Sequence, residues 1–260
     1  IEKVWGQITR ALRVTVNLVS SWGYSWQTLV SNKAIIPIAY YLYRMGSPTN
    51  FPEAGKYKDD RTRIQRWLRV ALLKRVFGGQ SDSTLNTIRQ VIQAKHDQFP
   101  VEAIADALKQ TRSMRFDQAE LEGLMAYRYG QQYTFSVLAL LYPWLKFDQY
   151  FHIDHIFPRS MFSARELGKH GIPQDQWEQY QANVNSLANL QLLQGLPNQE
   201  KSDQEFEKWL QSTNTTKPQL ENYYKNHLIP DVDLSFSNFL GFIAAREKLI
   251  MQQLADLFKV

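Results

Sequence analysis

The sequence predicts a mainly α-helical protein with one small two-stranded unit set into it. Three observations carry this reading. Apolar residues recur at helical spacing through most of the first 150 residues. Two short, apolar-rich stretches, 149–158 and 186–194, read instead as strands bounded by turn residues. A last long helical pattern, about 235–258, follows a turn at 230–233 that contains Pro and Asp.

The elements follow in chain order. Helices are expected near 2–19 and 32–45, and Pro37 makes the second start late or kink. Residues 46–60 are rich in Gly, Pro and Asn and form a loop. In 61–77, Ile64, Trp67, Leu68, Ala71 and Leu72 fall at i, i+3, i+4, i+7 and i+8, the apolar stripe of an amphipathic helix. Gly78-Gly79 is expected to stop it. Further helices are expected near 83–96, 101–112, 117–128 and 134–145. Between the strands, 162–184 reads as a polar helical insertion broken at Gly171 and Pro173. After the second strand, Ser202 and Glu205 have capping-box spacing, and Phe206, Trp209 and Leu210 supply a buried stripe.

Bulk properties bound the function. At 260 residues, one main domain with a smaller second one is expected. The chain has no cysteine, so disulfides, thiolate metal sites and a cysteine nucleophile are excluded. No apolar run approaches the roughly 20 residues of a membrane-spanning helix, and no secretory signal opens the chain. A cytoplasmic protein without a membrane partner is the expectation. The chain lacks an initiator Met and opens directly on a helix, as a fragment of something longer would. Charge is uneven: residues 1–150 hold 20 Lys and Arg against 12 Asp and Glu, whereas 151–260 hold 10 against 13. A basic half suits a polyanion, and a merely solvated basic face would look the same. Arg63, Arg66 and Arg69 on the 61–77 helix and Arg159 beside the first strand are the cations expected at phosphates.

Chemistry concentrates in "FHIDHIFPRS", residues 151–160, where His152, Asp154 and His155 interrupt an apolar run. Asp154 and the downstream Asn198 offer a carboxylate and an amide oxygen, which suit a hard cation such as Mg²⁺ or Mn²⁺. His155 is the residue able to deprotonate a water near neutral pH. Consecutive strand residues point to opposite faces, so Asp154 and His155 share a site only if the strand bends or ends there. Pro158 makes an early end reasonable. A zinc site from His152 and His155 would need a helix to align them.

These residues resemble the His-Asn-His (HNH) endonucleases with a ββα-metal fold. Asp154-His155-Ile156, Pro158, Asn189, Asn198 and Lys201-Ser202-Asp203 carry the likeness. In "NLQLLQGLPNQEKSD", residues 189–203, the spacing is similar to that of the HNH domain of the CRISPR effector nuclease. His155-x-x-Pro158 resembles the branch found in GmrSD-type modification-dependent restriction enzymes. So do the upstream "SNKAIIPIAYYLYR" and "IQRWLRVALLKRVFGG". The resemblance implies a mainly α protein with an embedded ββα-metal nuclease motif, cutting double-stranded DNA with Mg²⁺ or Mn²⁺ in bacterial defence. It implies His155 as general base and Asp154 and Asn198 as metal ligands, with His152 a third ligand or a partner to one. Asn189 would hold the loop between the strands or orient His155, and Lys201 would touch a phosphate. The implied organisation is a basic helical region at 1–149, the motif at 150–212, and C-terminal helices at 213–260. It also implies an N-terminal nucleotide-hydrolysing sensor domain in the full-length protein. No G-x-x-x-x-G-K-[ST] loop occurs in this chain. A catalytically silent binding module and an RNA-directed nuclease remain open alternatives.

Overall fold

The fold was analysed in a computed structural model, which describes residues 4–26, 28–95, 97–142, 145, 151–195, 201 and 203–258. The chain divides near residue 115 into two compact units.

The first unit is helical. It contains α1 (Trp5–Ser20), α2 (Ile35–Arg44), α3 (Lys58–Leu73), α4 (Asp82–Ala94) and α5 (Val101–Leu108). Helix α2 starts late, after a 3-10 turn at Asn32–Ala34. Pro37 therefore sits in its first turn, where a missing N–H breaks no helical bond. Helix α3 opens with Asp59 and Asp60 at its positive end. It ends at Leu73, before the expected glycine pair, where Arg75 turns the chain in the left-handed region at φ 50°. The expected stripe is buried: Ile64, Trp67, Leu68, Ala71 and Leu72 are at most 1% exposed. Trp67 packs edge-on against Phe77 and Phe99, and Phe99 against Tyr41. Buried Asp60 accepts hydrogen bonds from the Phe99 amide (2.7 Å) and the Tyr41 hydroxyl.

The second unit holds the strands. Helices α6 (Gln118–Met125) and α7 (Thr134–Leu141) precede β1 (Phe151–His155). The insertion forms α8 (Ala164–Lys169) and α9 (Trp177–Asn183), separated at Gly171 (φ 69°) and Pro173. Strand β2 (Leu190–Gln194) pairs antiparallel with β1, Phe151 opposite Gln194 and His155 opposite Leu190. Its expected start at 186 is corrected: Leu187–Asn189 form a 3-10 turn, and the strand begins at Leu190. Then come α10 (Phe206–Thr213), α11 (Lys217–His227) and α12 (Phe239–Phe258). Among the described residues, the only sheet is this hairpin, in an otherwise helical chain.

Two local expectations need correction. Glu205 sits at the N-cap of α10, pairing with Lys208 at 2.7 Å, so it cannot be the third residue of a capping box; Ser202 lies outside the described residues. Helix α11 was not expected individually, although Thr216 and Gln219 form a capping box with Pro218 in the first turn.

Helix α12 organises this unit. Phe239, Phe242, Ile243, Arg246, Ile250 and Leu254 lie along one buried face. Phe157, just past β1, packs against Phe206, Phe236, Phe239 and Phe242. Arg246 is fully buried amid this apolar core. Its guanidinium donates to the carbonyls of Ala188 (2.7 Å), Leu190 (2.8 Å), His227 (3.0 Å) and Leu228 (3.2 Å). It thereby ties the start of β2 to the end of α11, where Leu228 adopts the left-handed conformation at φ 53°. No described helix is long and apolar enough to cross a membrane.

Candidate active site

The end of β1 is held by backbone pairing and by the Asn189 side chain. The Ile156 amide donates to the Asn189 carbonyl at 2.7 Å, so backbone pairing continues in register one residue past His155. Asn189, fully buried, clamps the turn from its side chain: Oδ1 accepts from the Phe157 amide (2.9 Å), and Nδ2 donates to the carbonyls of Phe157 (3.2 Å) and Val184 (2.8 Å). A bridge between Arg128 and Ser186 then brings the segment after α6 alongside, with the Tyr129 amide donating to the Asn185 carbonyl at 2.9 Å. Two side chains thus reach His155. Tyr129 lies 4.5 Å from the imidazole, ring centroid to centroid, and Asn185 Oδ1 lies 2.9 Å from its Nε2.

This sets the imidazole's chemistry. Asn185 Oδ1 can only accept, so Nε2 carries the proton and Nδ1 keeps the lone pair. Burial lowers the His155 pKa, and the Asn185 hydrogen bond and Asp154 only partly oppose it. A neutral imidazole near pH 7 follows.

Asp154 has a separate set of partners. Asp154 Oδ2 accepts from Gln191 Nε2 (3.0 Å) and pairs with Lys201 Nζ (3.0 Å). Lys201 also donates to the His155 carbonyl. Its side chain is 0% exposed, and burial lowers its pKa against the pull of Asp154. The expectation that Lys201 touches a phosphate is therefore corrected: its ammonium is consumed inside the protein, linking Asp154 to the strand end.

Among the described residues, both Asp154 side-chain contacts fall on Oδ2, and Oδ1 is the oxygen proposed to ligate a hard cation. Asn198, the other expected ligand, lies outside the described residues. His152 is exposed on β1 opposite Leu193, and the strand geometry removes the helical i, i+3 alignment a zinc pair would need. Among the described residues, no group of three or more His, Asp or Glu side chains could hold a metal ion. Arg159 is exposed on the 3-10 turn after Pro158, and the neighbouring Ser160 donates to Asp203 at 3.0 Å. In the first unit, Arg66 is exposed and Arg63 half-buried, but Arg69 is only 4% exposed and is corrected from surface to core, hydrogen-bonded to Tyr24.

Residues 106–230 match the family model of the GmrSD restriction endonucleases, C-terminal domain. The match covers 125 of the 260 residues, so this segment is similar to that domain. It takes in both strands, the insertion, α10 and α11. No curated protein matches the chain. The GmrSD-type segment contains His155, Asp154, Asn189 and Lys201, together with the Tyr129 and Asn185 that sequence reasoning missed. The signal for those two was weak, because a lone Tyr and one Asn among several carry no spacing of their own.

Proposed function

We propose that the chain is the nuclease part of a restriction enzyme, an HNH-type endonuclease that hydrolyses DNA phosphodiesters with Mg²⁺ or Mn²⁺, one strand at a time. The observation that carries this reading is the His155 site within the GmrSD-type segment. A neutral imidazole, held by Asn185 through Nε2, offers Nδ1 as a base at the end of a clamped strand. His155 would take the proton from the attacking water. Tyr129 would limit the tilt of the ring, and Asn189 would fix the strand end. Asp154 through Oδ1, with Asn198, would hold the cation. When bound, the cation would supply charge neutralisation at the phosphodiester and its leaving oxygen. Arg159, exposed on the turn after β1, is a proposed phosphate contact, and residues 150–212 form the proposed ββα-metal motif. Arg63 and Arg66 are proposed to meet the DNA backbone elsewhere. An upstream sensor domain and action on modified DNA belong to the same proposal.

The ion pair between Asp154 and Lys201 favours a second reading, in which the scaffold binds DNA without turnover because its carboxylate is already neutralised. Cleavage of plasmid DNA and of RNA, with and without Mn²⁺, alongside a binding assay, separates the readings. Metal-dependent DNA cleavage supports the first, and metal-independent binding with no cleavage supports the second.

A further inference from the structure

We infer that Tyr223, on α11, is a positioning residue that sets the orientation of the Asp154 carboxylate through Gln191. The inference rests on the reading of Asp154 as a metal ligand and extends the site to a helix beyond the hairpin.

The chain of contacts is short and directional. Tyr223 donates its hydroxyl hydrogen to Gln191 Oε1 at 2.6 Å. With that oxygen occupied, the Gln191 amide can only present Nε2 to Asp154, and it does so at 3.0 Å. Gln191 is fully buried, directly opposite Asp154 in the strand register. A flipped amide would instead place Oε1 against the carboxylate. Two acceptors would then face each other out of water, and Tyr223 would lose its acceptor. Tyr223 thus selects the amide orientation, and the amide turns Oδ2 inward toward itself and Lys201. Oδ1 is left facing away from these donors.

The tyrosine is itself held on several sides. Its ring stacks on His227 at 4.1 Å and 11°, and meets Trp209 edge-on at 5.8 Å. Burial raises the phenol's pKa well above its ordinary value, so the hydroxyl keeps the proton it donates. His227 is anchored in turn, because its carbonyl accepts from Arg246. The aromatic cluster of α10 and α11 therefore aims one hydroxyl at a buried amide, and the amide aims at a carboxylate. This is the arrangement by which residues behind a metal ligand tune affinity without touching the metal.

The test is Mn²⁺ binding to the whole chain, measured by calorimetry and by the free-Mn²⁺ EPR signal. The proteins are wild type, Asp154→Ala, Tyr223→Phe, Gln191→Met and the Tyr223→Phe/Gln191→Met double variant. Tyr223→Phe keeps the ring and its stacking and removes only the hydroxyl. We expect Tyr223→Phe and Gln191→Met each to weaken Mn²⁺ binding about tenfold. The double variant should be no weaker than Gln191→Met alone, because both act through one chain. Wild-type affinity in Tyr223→Phe, with Asp154→Ala abolishing binding, would overturn the inference and leave the metal site standing. So would strictly additive losses in the double variant. Unchanged binding in Asp154→Ala would overturn the reading of Asp154 itself, and this inference with it.

Discussion

Replacing Asn189 by Ala should cost about 3 kcal/mol of stability in the strand-bearing unit. Asn189 is fully buried and makes three hydrogen bonds to backbone groups: the Phe157 amide, the Phe157 carbonyl and the Val184 carbonyl. Each such bond contributes about 1 kcal/mol net, and leaving a buried partner unmet costs about 1–3 kcal/mol. The Phe157 amide is the most exposed to this penalty, because a lone donor has no second site. Asn189→Asp should be no better: a carboxylate still accepts from the Phe157 amide but confronts two carbonyls with like partial charge. Urea unfolding followed by circular dichroism gives the loss, and hydrogen exchange in a peptide covering 156–158 localises it. A change below about 0.5 kcal/mol, with the Phe157 amide as protected as before, would refute the reasoning.

Three further outcomes are expected. Burial pushes the His227 pKa down to about 3. Unfolded His227 takes a proton near pH 6.5 and the folded one does not, so its contribution to stability is lost as pH falls from about 6.5 toward 3. Denaturation midpoints for His227→Gln should accordingly fall less steeply than wild type across that window. For cleavage, the base must be neutral, so the rate should rise with pH to a plateau reached below the ordinary histidine range; Asn185→Asp, placing a carboxylate on Nε2, should move that limb to higher pH in single-turnover assays. Neutralising Arg63 and Arg66 should make the salt slope of DNA binding shallower by about one for each phosphate they neutralise in the wild type. Lys201→Gln should leave the slope unchanged, since its side chain is 0% exposed.

Much of this was legible in the sequence, for identifiable reasons. The α3 stripe and the buried face of α12 are periodic, and periodicity survives any tertiary context. The hairpin was legible because its apolar runs are short and end in turn residues. Asn189 was singled out by the family resemblance, and its side chain hydrogen-bonds the Phe157 backbone just past β1. What escaped depends on pairing across distance. Lys201 and Arg69 read as surface cations, because charge is visible in a sequence but burial is not. Arg246 is a cation in the middle of a helix, and nothing local says that four carbonyls from two other elements converge on it. Tyr129 and Asn185 reach His155 only because Arg128 and Ser186 bridge. Helix α11 was missed despite its Thr216–Gln219 capping box, since its apolar stripe is weak.

The central claim is that His155 is the base of a metal-dependent nuclease. Nicking of supercoiled plasmid by the chain in Mn²⁺, with and without EDTA and beside His155→Ala, tests it most directly. Conversion to open circles that EDTA stops and His155→Ala abolishes is the predicted result. Cleavage that persists in His155→Ala, or no cleavage by folded protein with Mn²⁺ bound, would contradict it.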